Sequence, residues 1–488
     1  MVFSSHIFLF YFLPLALLCY FAVPRRGKHL MLTLLSYAFY GWANPLFIFL
    51  LLFSTTVDYI CGLVMVGRWR PGTWREPIEP LAPGGARRRH QKVALIVSLS
   101  SNLALLGFFK YFNLFADSYN AIAETFAGSD YTWDTFIRVV LPLGISFYTF
   151  QSMSYTVDVY RGDARATRNY IDFACYVSMF PQLVAGPIIR FSEVADQLVQ
   201  RTHTLEKFSR GVAMFSLGMA KKVLIANPCG WIADQCFNAE TVSTLDAWYG
   251  ALAYSFQIYF DFSGYTDMAI GLGLMLGFVF PKNFDSPYKA TSITDFWRRW
   301  HISLSSWLRD YLYVPLGGNR HGTNRTYLNL MVVMVLGGLW HGATSWNFVI
   351  WGAIHGVMLV IERAAGGKDS LYRFLPRPLR VMATFLLVTI AWVFFRSETT
   401  ERAVAYLGAM FGGITLHDGA EMAAATIYRP WFVLAIGIAA VAAWAGPQAW
   451  DFTRKLTLPR AAWCLLMLFV SIIVLFTQAY NPFIYFIF

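Results

Sequence analysis

The sequence predicts an all-α membrane protein that crosses the bilayer many times. Of its 488 residues, 57% are hydrophobic and 14% are charged, whereas soluble domains average about 25% charged residues. Apolar runs of the roughly 20 residues that a membrane-spanning helix needs recur along the whole chain. Alternating segments of about 10 residues, typical of membrane β-barrels, do not dominate. We therefore expect a single polytopic helical domain over residues 1–488.

The first part of the chain alternates apolar runs with loops of contrasting charge. A run near residues 7–23 is followed by three basic residues and no small-residue cleavage pattern, so we expect a retained helix rather than a signal peptide. Residues 67–92 form a basic, Pro/Gly-rich loop that we expect to be cytoplasmic and mobile. Residues 117–134 carry four acidic side chains and no Lys or Arg, which favours the outer side. Further apolar runs lie near 30–42, 45–66, 93–116 and 139–158.

The apolar piece at residues 171–189 is basic on both flanks and contains Pro181 and Pro187. If both flanks are cytoplasmic, the piece enters the membrane and returns to the same side. Such a re-entrant element is tolerated only where protein or a water-filled cavity covers the broken backbone. A spanning helix with a proline kink is the alternative, and the sequence leaves both open.

The later apolar runs bring the expected total to about 11–13 membrane helices and re-entrant elements. The run at 248–280 is too long for one straight crossing, so it is expected to tilt, bend or split. All eight runs lie near 211–226, 248–280, 327–345, 348–362, 379–395, 402–415, 430–446 and 461–480.

Residues 281–325 form a different kind of segment, in which arginines and lysines lie among aromatic residues. Ser292 or Thr294 can cap a helix that begins near Asp295. From there apolar residues recur every three to four positions, which predicts an amphipathic helix at the cytoplasmic interface with its arginines toward phosphate or water. The apolar positions are Phe296, Trp300, Leu304, Trp307 and Leu308.

Three of the nine histidines call for an explanation, because the others lie at chain ends or in polar loops. His341 lies in an apolar run between glycines, where an ionisable group indicates function, although a hydrogen bond to a neighbouring helix is the structural alternative. His355 follows after a possible turn, and for it the structural interhelical bond is favoured. His301 follows Arg298 and Arg299, where a merely solvated ring is the simpler interpretation.

Several classes of function find no support in the sequence. The net charge of +11 comes from Lys and Arg in short loops, which membrane topology explains without a nucleic-acid partner. The chain has no HExxH, CxxC, GxSxG or GxxxxGK[ST] pattern, so we expect no metal site, serine nucleophile or P-loop. Cys229 and Cys236 share a predicted loop, where a disulfide and two free thiols both stay open.

Five motifs together resemble the membrane-bound O-acyltransferase family, and the two chain ends, "MVFSSHIFLFYFLPL" and "NPFIYFIF", resemble its bacterial, alginate-modifying branch. The motifs appear in the order "FPQLVAGPIIRF" (180–191), "QIYFDFSGYTDMAIGLG" (257–273), "NFDSPY" (283–288), "DFWRRWHISLSSWLRDYLYVPLGGNR" (295–320) and "GGLWHG" (337–342).

The resemblance implies both a fold and a pair of site residues. The fold is a ring of membrane helices around a central tunnel, with the acyl donor arriving from the cytoplasm and the acceptor from the other face. His341 corresponds to the family's proposed catalytic histidine and His301 to the second implicated one. With His341 as general base, the chemistry is acyl transfer to a hydroxyl.

The resemblance also implies an acetyltransferase of the bacterial inner membrane that uses acetyl-CoA as donor and holds no permanent cofactor. The donor's phosphates are expected to meet the basic interfacial segment through charge-assisted contacts. Asp295, Asp310 and Asn319 are candidates to orient His301 or the pantetheine arm, and an ordinary structural role is equally open for each. The expected donor-binding residues are Arg298, Arg299, Arg309, Arg320, Trp300 and Asn319.

The expected partners are a polysaccharide acceptor, membrane lipid and a periplasmic SGNH-type acetyltransferase or polysaccharide-modification complex. An alginate-like exopolysaccharide is the favoured acceptor. Peptidoglycan and cellulose are alternatives, and teichoic-acid D-alanylation fits less well. A proton-coupled transporter and a non-catalytic scaffold of a polysaccharide synthase are the alternative functions.

Overall fold

The computed structural model describes residues 1–69, 78–126, 128, 131–133, 138–342, 344–367, 373–413 and 425–483, and the regular structure in these residues is helical throughout. The prediction of an all-α, multi-pass membrane protein is confirmed. The total of about 11–13 membrane elements stays a prediction. Within the described ranges, five helices are long and apolar enough to cross a membrane: Phe47–Met65, Arg89–Phe126, Asn347–Ala364, Arg377–Arg396 and Leu458–Thr477.

The helices group into two compact units. The first unit comprises Met1–Gly211 and Ala269–Pro281, and the second comprises Val212–Met268 and Lys282–Phe488. The described helices up to the first boundary are α1 (Leu13–Ala22, preceded by a π turn at Phe8–Phe12), α2 (Lys28–Gly41), α3 (Phe47–Met65), α4 (Arg89–Phe126), α5 (Ile145–Arg161), α6 (Tyr170–Ser178), α7 (Phe180–Leu183) and α8 (Phe191–Val199).

The later helices belong mainly to the second unit, although α9 begins and α11 ends in the first. They are α9 (Leu205–Ala220), α10 (Asn227–Asn238), α11 (Thr244–Met275), α12 (Ile293–Arg299), α13 (Ile302–Leu308), α14 (Thr323–His341), α15 (Asn347–Ala364), α16 (Arg377–Arg396), α17 (Thr400–Met410), α18 (Pro430–Trp444), α19 (Ala449–Phe452) and α20 (Leu458–Thr477). Because α11 is continuous from Thr244 to Met275, it excludes a split within this stretch, and the tilt or bend expected for the run at 248–280 stays a prediction.

In the first unit, α3, α4 and α5 meet around a buried carboxylate. Asp58 accepts hydrogen bonds from the Ser98 hydroxyl at 2.6 Å, from the Asn102 amide at 2.8 and 3.0 Å, and from the Ser152 hydroxyl. Away from water, a polar group is tolerated only when it has partners. The network therefore fixes the three helices in one register.

The segment at 171–189 is not a single kinked helix. α6 is only nine residues long, α7 has four, and the chain between α7 and α8 is not helical. Nine residues rise about 13.5 Å, less than half a bilayer. Residues 173–189 are all buried in protein, which is the cover that re-entry requires. The return of the chain to the same side stays a prediction.

Two loop expectations have a structural outcome. Residues 70–77 of the basic loop lie outside the described residues, but Arg87 donates hydrogen bonds to the carbonyl oxygens of Tyr160 at 2.5 Å and Arg161 at 2.9 Å, so this part is attached to the end of α5. Cys229 and Cys236 lie seven residues apart on α10, about 10 Å along the helix and too far for a disulfide. Both are buried free thiols.

In the second unit, two ion pairs join the π turn before α10 to α11. A π turn at Lys221–Ala226 connects α9 to α10. Its Lys222 forms an ion pair with Asp261 at 2.8 Å, and Lys221 forms one with Asp267 at 2.6 Å. Lys222 and Asp261 are almost fully buried, so each charge needs the other. The two pairs hold α11 against the π turn between α9 and α10.

The α14–α15 hairpin is held by close backbone contact. α14 ends at His341 and α15 begins at Asn347, which confirms the predicted turn between the two histidines. A Cβ atom on Gly338 would collide with the carbonyl oxygen of Phe348, and one on Gly352 would collide with that of Met334. Glycine is therefore required on both sides of the crossing, where α14 and α15 pack backbone to backbone.

Gly338→Ala should destabilise the folded protein by about 1–3 kcal/mol, because its methyl group meets rigid backbone rather than a flexible side chain. The thermal unfolding midpoint in detergent measures the loss. Gly437→Ala on α18 is the matched control, since nothing lies within 4 Å of a Cβ atom there. Equal midpoints for the two variants would contradict the close-contact explanation.

Candidate active site

The interfacial segment contains two short helices rather than one continuous amphipathic helix, so that expectation is wrong. α12 ends at Arg299 and α13 begins at Ile302. The predicted cap is confirmed in part, because the Ser292 hydroxyl accepts a hydrogen bond from the Asp295 amide at 3.1 Å, although α12 begins two residues earlier. Two residues, Trp300 and His301, separate the helices, and the helical backbone is broken at His301.

His301 breaks the helix because its backbone is left-handed, with φ 42° and ψ 56°. This conformation is unfavourable for most residues other than glycine, and such strain concentrates at functional sites. Asn283 holds the turn: its carbonyl oxygen accepts from the Ile302 amide at 2.9 Å, and its side-chain oxygen accepts from the Ser303 amide at 3.1 Å. The structure thus explains the asparagine of the "NFDSPY" motif.

The ring of His301 is fully buried and has a defined tautomer. Its Nδ1 accepts a hydrogen bond from the Leu304 amide at 3.1 Å, which caps α13 and places the ring proton on Nε2. Burial lowers the pKa of His301 to about 3, so the ring is neutral near pH 7. In the described part of the chain, Nε2 has no hydrogen-bond partner. A buried donor without a partner requires an explanation.

His341 lies next to this ring at the last position of α14. The two ring centroids are 6.4 Å apart and the planes meet at 81°. Trp351 and Phe395 pack on the other sides of His341, with centroids at 5.5 and 5.4 Å. The structure thus brings together two histidines that are 40 residues apart, as the resemblance implied, within an aromatic surround that limits the access of water.

One face of His341 opens to a cavity of about 930 Å³, within the 300–1,000 Å³ typical of ligand pockets. α12, α13, α14 and α15 all contribute to its lining. Its wall has an apolar part on α14 and α15, formed by Leu330, Val333, Met334 and Leu359. Besides His341, the polar and charged lining residues are Thr294, Arg298, Ser305, Ser306, Arg309, Tyr313, Asn319, Thr326, Arg363 and Arg373.

Three of the six predicted donor-binding residues line this cavity. Arg298 and Asn319 do so, and so does Arg309, although Asp310 neutralises Arg309 through two hydrogen bonds at 2.6 and 2.9 Å. The Asn319 side chain also accepts a hydrogen bond from the Tyr313 hydroxyl. Arg298 has no ion pair among the described residues, so its charge is available to a ligand.

The other three predicted donor-binding residues have different surroundings. Arg299 forms an ion pair with Asp295 at 2.9 Å and does not line the cavity. Arg320 donates to the carbonyl oxygen of Val314 at 3.2 Å. Trp300 is 3% exposed and packs in an aromatic cluster with Tyr259, Phe284, Tyr288, Phe296 and Trp392.

Two further arginines line the cavity and are missing from the sequence prediction. Arg363 lies near the end of α15, and Arg373 lies close to Phe374. In the sequence both resemble ordinary basic flanks of membrane helices. They line the same cavity as Arg298 only in the folded chain, so no local pattern could have identified them.

His355 is a structural residue, as the sequence favoured. It is fully buried on α15, and its Nδ1 accepts a hydrogen bond from the Trp297 indole at 3.3 Å. This interhelical bond joins α15 to α12. His355 does not line the cavity, whereas Trp297 does.

The arrangement has the parts that acyl transfer needs. His341 is in contact with the cavity and can accept a proton. His301 does not line the cavity, but it lies beside His341 and carries a buried N–H without a hydrogen-bond partner among the described residues. Arginines at the cavity can hold an anionic group. In the described part of the chain, no group of three or more His, Cys, Asp or Glu side chains is placed to bind a metal ion. These features describe a site with two neighbouring imidazole rings, one of which contacts a cavity that arginines also line.

Comparison with known proteins identifies the family. The family model of the membrane-bound O-acyltransferases matches residues 148–398, a stretch that includes both histidines. The chain belongs to the membrane-bound O-acyltransferase family, and it is an O-acyltransferase. The predicted resemblance is confirmed.

Three relatives illustrate the similarity. The protein named Probable alginate O-acetylase AlgI from Pseudomonas putida is 45% identical over 100% of both chains. Its namesake from Pseudomonas aeruginosa is 49% identical over 84% of this chain and 75% of its own. The Peptidoglycan O-acetyltransferase of Helicobacter pylori is 37% identical over 85% of this chain and 81% of its own.

His301→Asn should make the protein less sensitive to acid while preserving its fold, because asparagine accepts left-handed backbone and caps helices well. In the wild type the pKa of His301 is about 6.5 in the unfolded chain and about 3 in the folded chain, so the unfolded chain takes up a proton at a higher pH. Stability is therefore lost as pH falls below about 6.5.

The measurement compares thermal unfolding midpoints at about pH 7 and about pH 5. We expect a smaller drop for His301→Asn than for the wild type. The exposed His321, changed to Asn, is the control and should keep the wild-type drop. An equal drop in all three proteins would show that His301 is not a buried neutral ring.

Proposed function

We propose that this chain is an inner-membrane acetyltransferase that takes an acetyl group from acetyl-CoA for the O-acetylation of an extracytoplasmic polysaccharide. One observation carries the proposal: His341 contacts a cavity that arginines from separate segments also line. Two of the relatives are named as probable alginate O-acetylases, which favours an alginate-like exopolysaccharide as acceptor. The peptidoglycan enzyme makes peptidoglycan the alternative.

In the proposed mechanism His341 acts as general base. It removes the proton from an acceptor hydroxyl while the hydroxyl oxygen attacks the thioester carbonyl carbon. A new C–O bond forms, the C–S bond breaks, and the proton passes from His341 to the departing thiolate. We propose that the Nε2–H of His301 donates a hydrogen bond to the carbonyl oxygen as negative charge develops on it. Such charge is best stabilised by a preorganised donor away from water.

The donor's phosphates are assigned to the cavity arginines. Arg298 on α12 and Arg363 on α15 have no ion pair among the described residues, and Arg373 lines the same cavity. Guanidinium groups bind phosphate oxygens through pairs of hydrogen bonds. Three cations from three segments suit a ligand with several phosphate groups, such as coenzyme A, better than a neutral acyl lipid.

Transfer to the polysaccharide is proposed to involve a periplasmic partner of the SGNH acetyltransferase type, since polysaccharide O-acetylation takes place outside the inner membrane. Pull-down of the tagged chain from membranes of its own host tests this. An acetyltransferase of that type is expected among the bound proteins. Full polysaccharide acetylation in a strain that lacks every such enzyme would contradict the partner and favour direct transfer.

His341→Ala should reduce acetyl transfer from labelled acetyl-CoA by at least about 10²-fold, the usual contribution of a general base. The assay uses purified protein in lipid nanodiscs, with folding checked by thermal unfolding. His321→Ala, a change of an exposed histidine in the same unit, is the control and should retain activity. Substrate accumulation without acetyl transfer in the wild type would favour a transporter and overturn the proposal.

Arg363→Gln should raise the KM for acetyl-CoA about tenfold and leave kcat nearly unchanged, because one charge-assisted hydrogen bond to the donor is lost in both ground and transition states. Initial rates over a range of acetyl-CoA concentrations measure the two constants. Arg377→Gln, an exposed arginine at the start of α16, is the matched control. An unchanged KM for Arg363→Gln would remove this residue from the donor site.

A further inference from the structure

Glu362 is a fully buried carboxylate on α15 whose hydrogen bonds are all directed at the start of α12. Its Oε1 accepts from the Ile293 amide at 2.6 Å. Its Oε2 accepts from the Thr294 amide at 2.9 Å and from the Thr294 hydroxyl at 2.7 Å. With 1% exposure, the carboxylate depends on these three donors, and they depend on it.

A second bond joins the same two helices further along. His355 lies two helical turns before Glu362 on the same face of α15 and accepts from the indole N–H of Trp297. α12 is thus fastened to α15 at its first turn and again near its last. Trp300 and His301 follow directly after α12, so the position of the His301 ring depends on where α12 is held.

The same face of α15 also supports the other histidine. Trp351 lies one turn before His355 and packs its ring on His341. The backbone contact at Gly338 and Gly352 fixes α14, which ends at His341, against α15. One helix therefore sets the positions of both histidines, one through α12 and the other through α14.

We propose that Glu362 is a positioning residue for catalysis, which holds α12 on α15 so that His301 lies at the correct distance and angle from His341. The inference rests on the proposed acetyl transfer. Catalysis is sensitive to such placement, because a shift of about 1 Å can cost up to about a hundredfold in rate. Glu362 touches neither the cavity nor the reacting atoms, so it acts only through α12.

The position of Glu362 also relates the histidine pair to the donor site. Its neighbour Arg363 lines the cavity from α15, and Arg298 lines it from α12. A phosphate group held by both arginines would bridge the same two helices that Glu362 joins. The carboxylate thus joins the two helices that carry these arginines.

The test is Glu362→Gln, which preserves side-chain size but directs an amide N–H₂ group at backbone donors. We expect kcat per folded molecule to fall about tenfold, with the KM for acetyl-CoA changed by no more than about twofold. Hydrogen exchange should be faster at the amides of Ile293 and Thr294 and unchanged in α14. Glu398→Gln, an exposed glutamate in the same unit, is the matched control.

Thr294 provides a second, milder variant from the other side of the contact. Thr294→Val removes one of the three donors and should lower kcat. Thr294→Ser keeps the hydroxyl donor and should have a kcat close to that of the wild type. If both residues act through the same contact, the losses of Thr294→Val and Glu362→Gln will not add in the double variant.

Two outcomes would overturn the inference. One is a wild-type kcat for Glu362→Gln. The other is a loss of activity that only follows the folded fraction, with kcat per folded molecule unchanged, which would mean a purely structural role. Failure of the proposed function is distinguishable, because it appears as absent acetyl transfer in the wild type, while faster exchange at Ile293 and Thr294 still reports the contact itself.

Discussion

The satisfaction of polar groups away from water is the constraint on which this structure depends. Asp58 collects three side-chain donors, Lys222 and Asp261 neutralise each other, and Glu362 accepts from the start of α12. Each arrangement joins helices that are distant in sequence. In a bilayer an unpaired polar group costs several kcal/mol, so these contacts determine which helices can be neighbours.

The buried atoms that lack partners in the described residues are informative for the same reason. Around the candidate site they include Nε2 of His301 and of His355 and Nε1 of Trp351. His301 additionally carries left-handed backbone that Asn283 and the cap of α13 hold in place. An unused Nε2 donor is common to His301 and His355. What distinguishes His301 is its strained backbone and its place beside His341, which contacts the cavity.

The charges of the interfacial segment divide between structure and ligand. Arg299 forms an ion pair with Asp295, and Arg309 forms one with Asp310, so those guanidinium groups contribute to local folding. Arg298 stays available, and α15 brings Arg363 to the same cavity. A dense run of arginines in a sequence therefore predicts more ligand-binding arginines than the segment provides. The other cations of the site can come from another helix.

The sequence by itself determined the class of membrane protein, the family and the two histidines, because hydrophobic composition and short ordered motifs are local properties of the chain. It also located the hairpin turn before α15 and the Ser292 cap of α12, since glycines and capping residues act over a few positions. Only the tertiary structure decided four features: the break at His301, the broken segment around α7, the contact of Glu362 with α12, and the position of Arg363 at the same cavity as Arg298. They depend on backbone strain and on contacts between residues tens of positions apart, and no periodicity or spacing encodes which distant group will satisfy a buried donor.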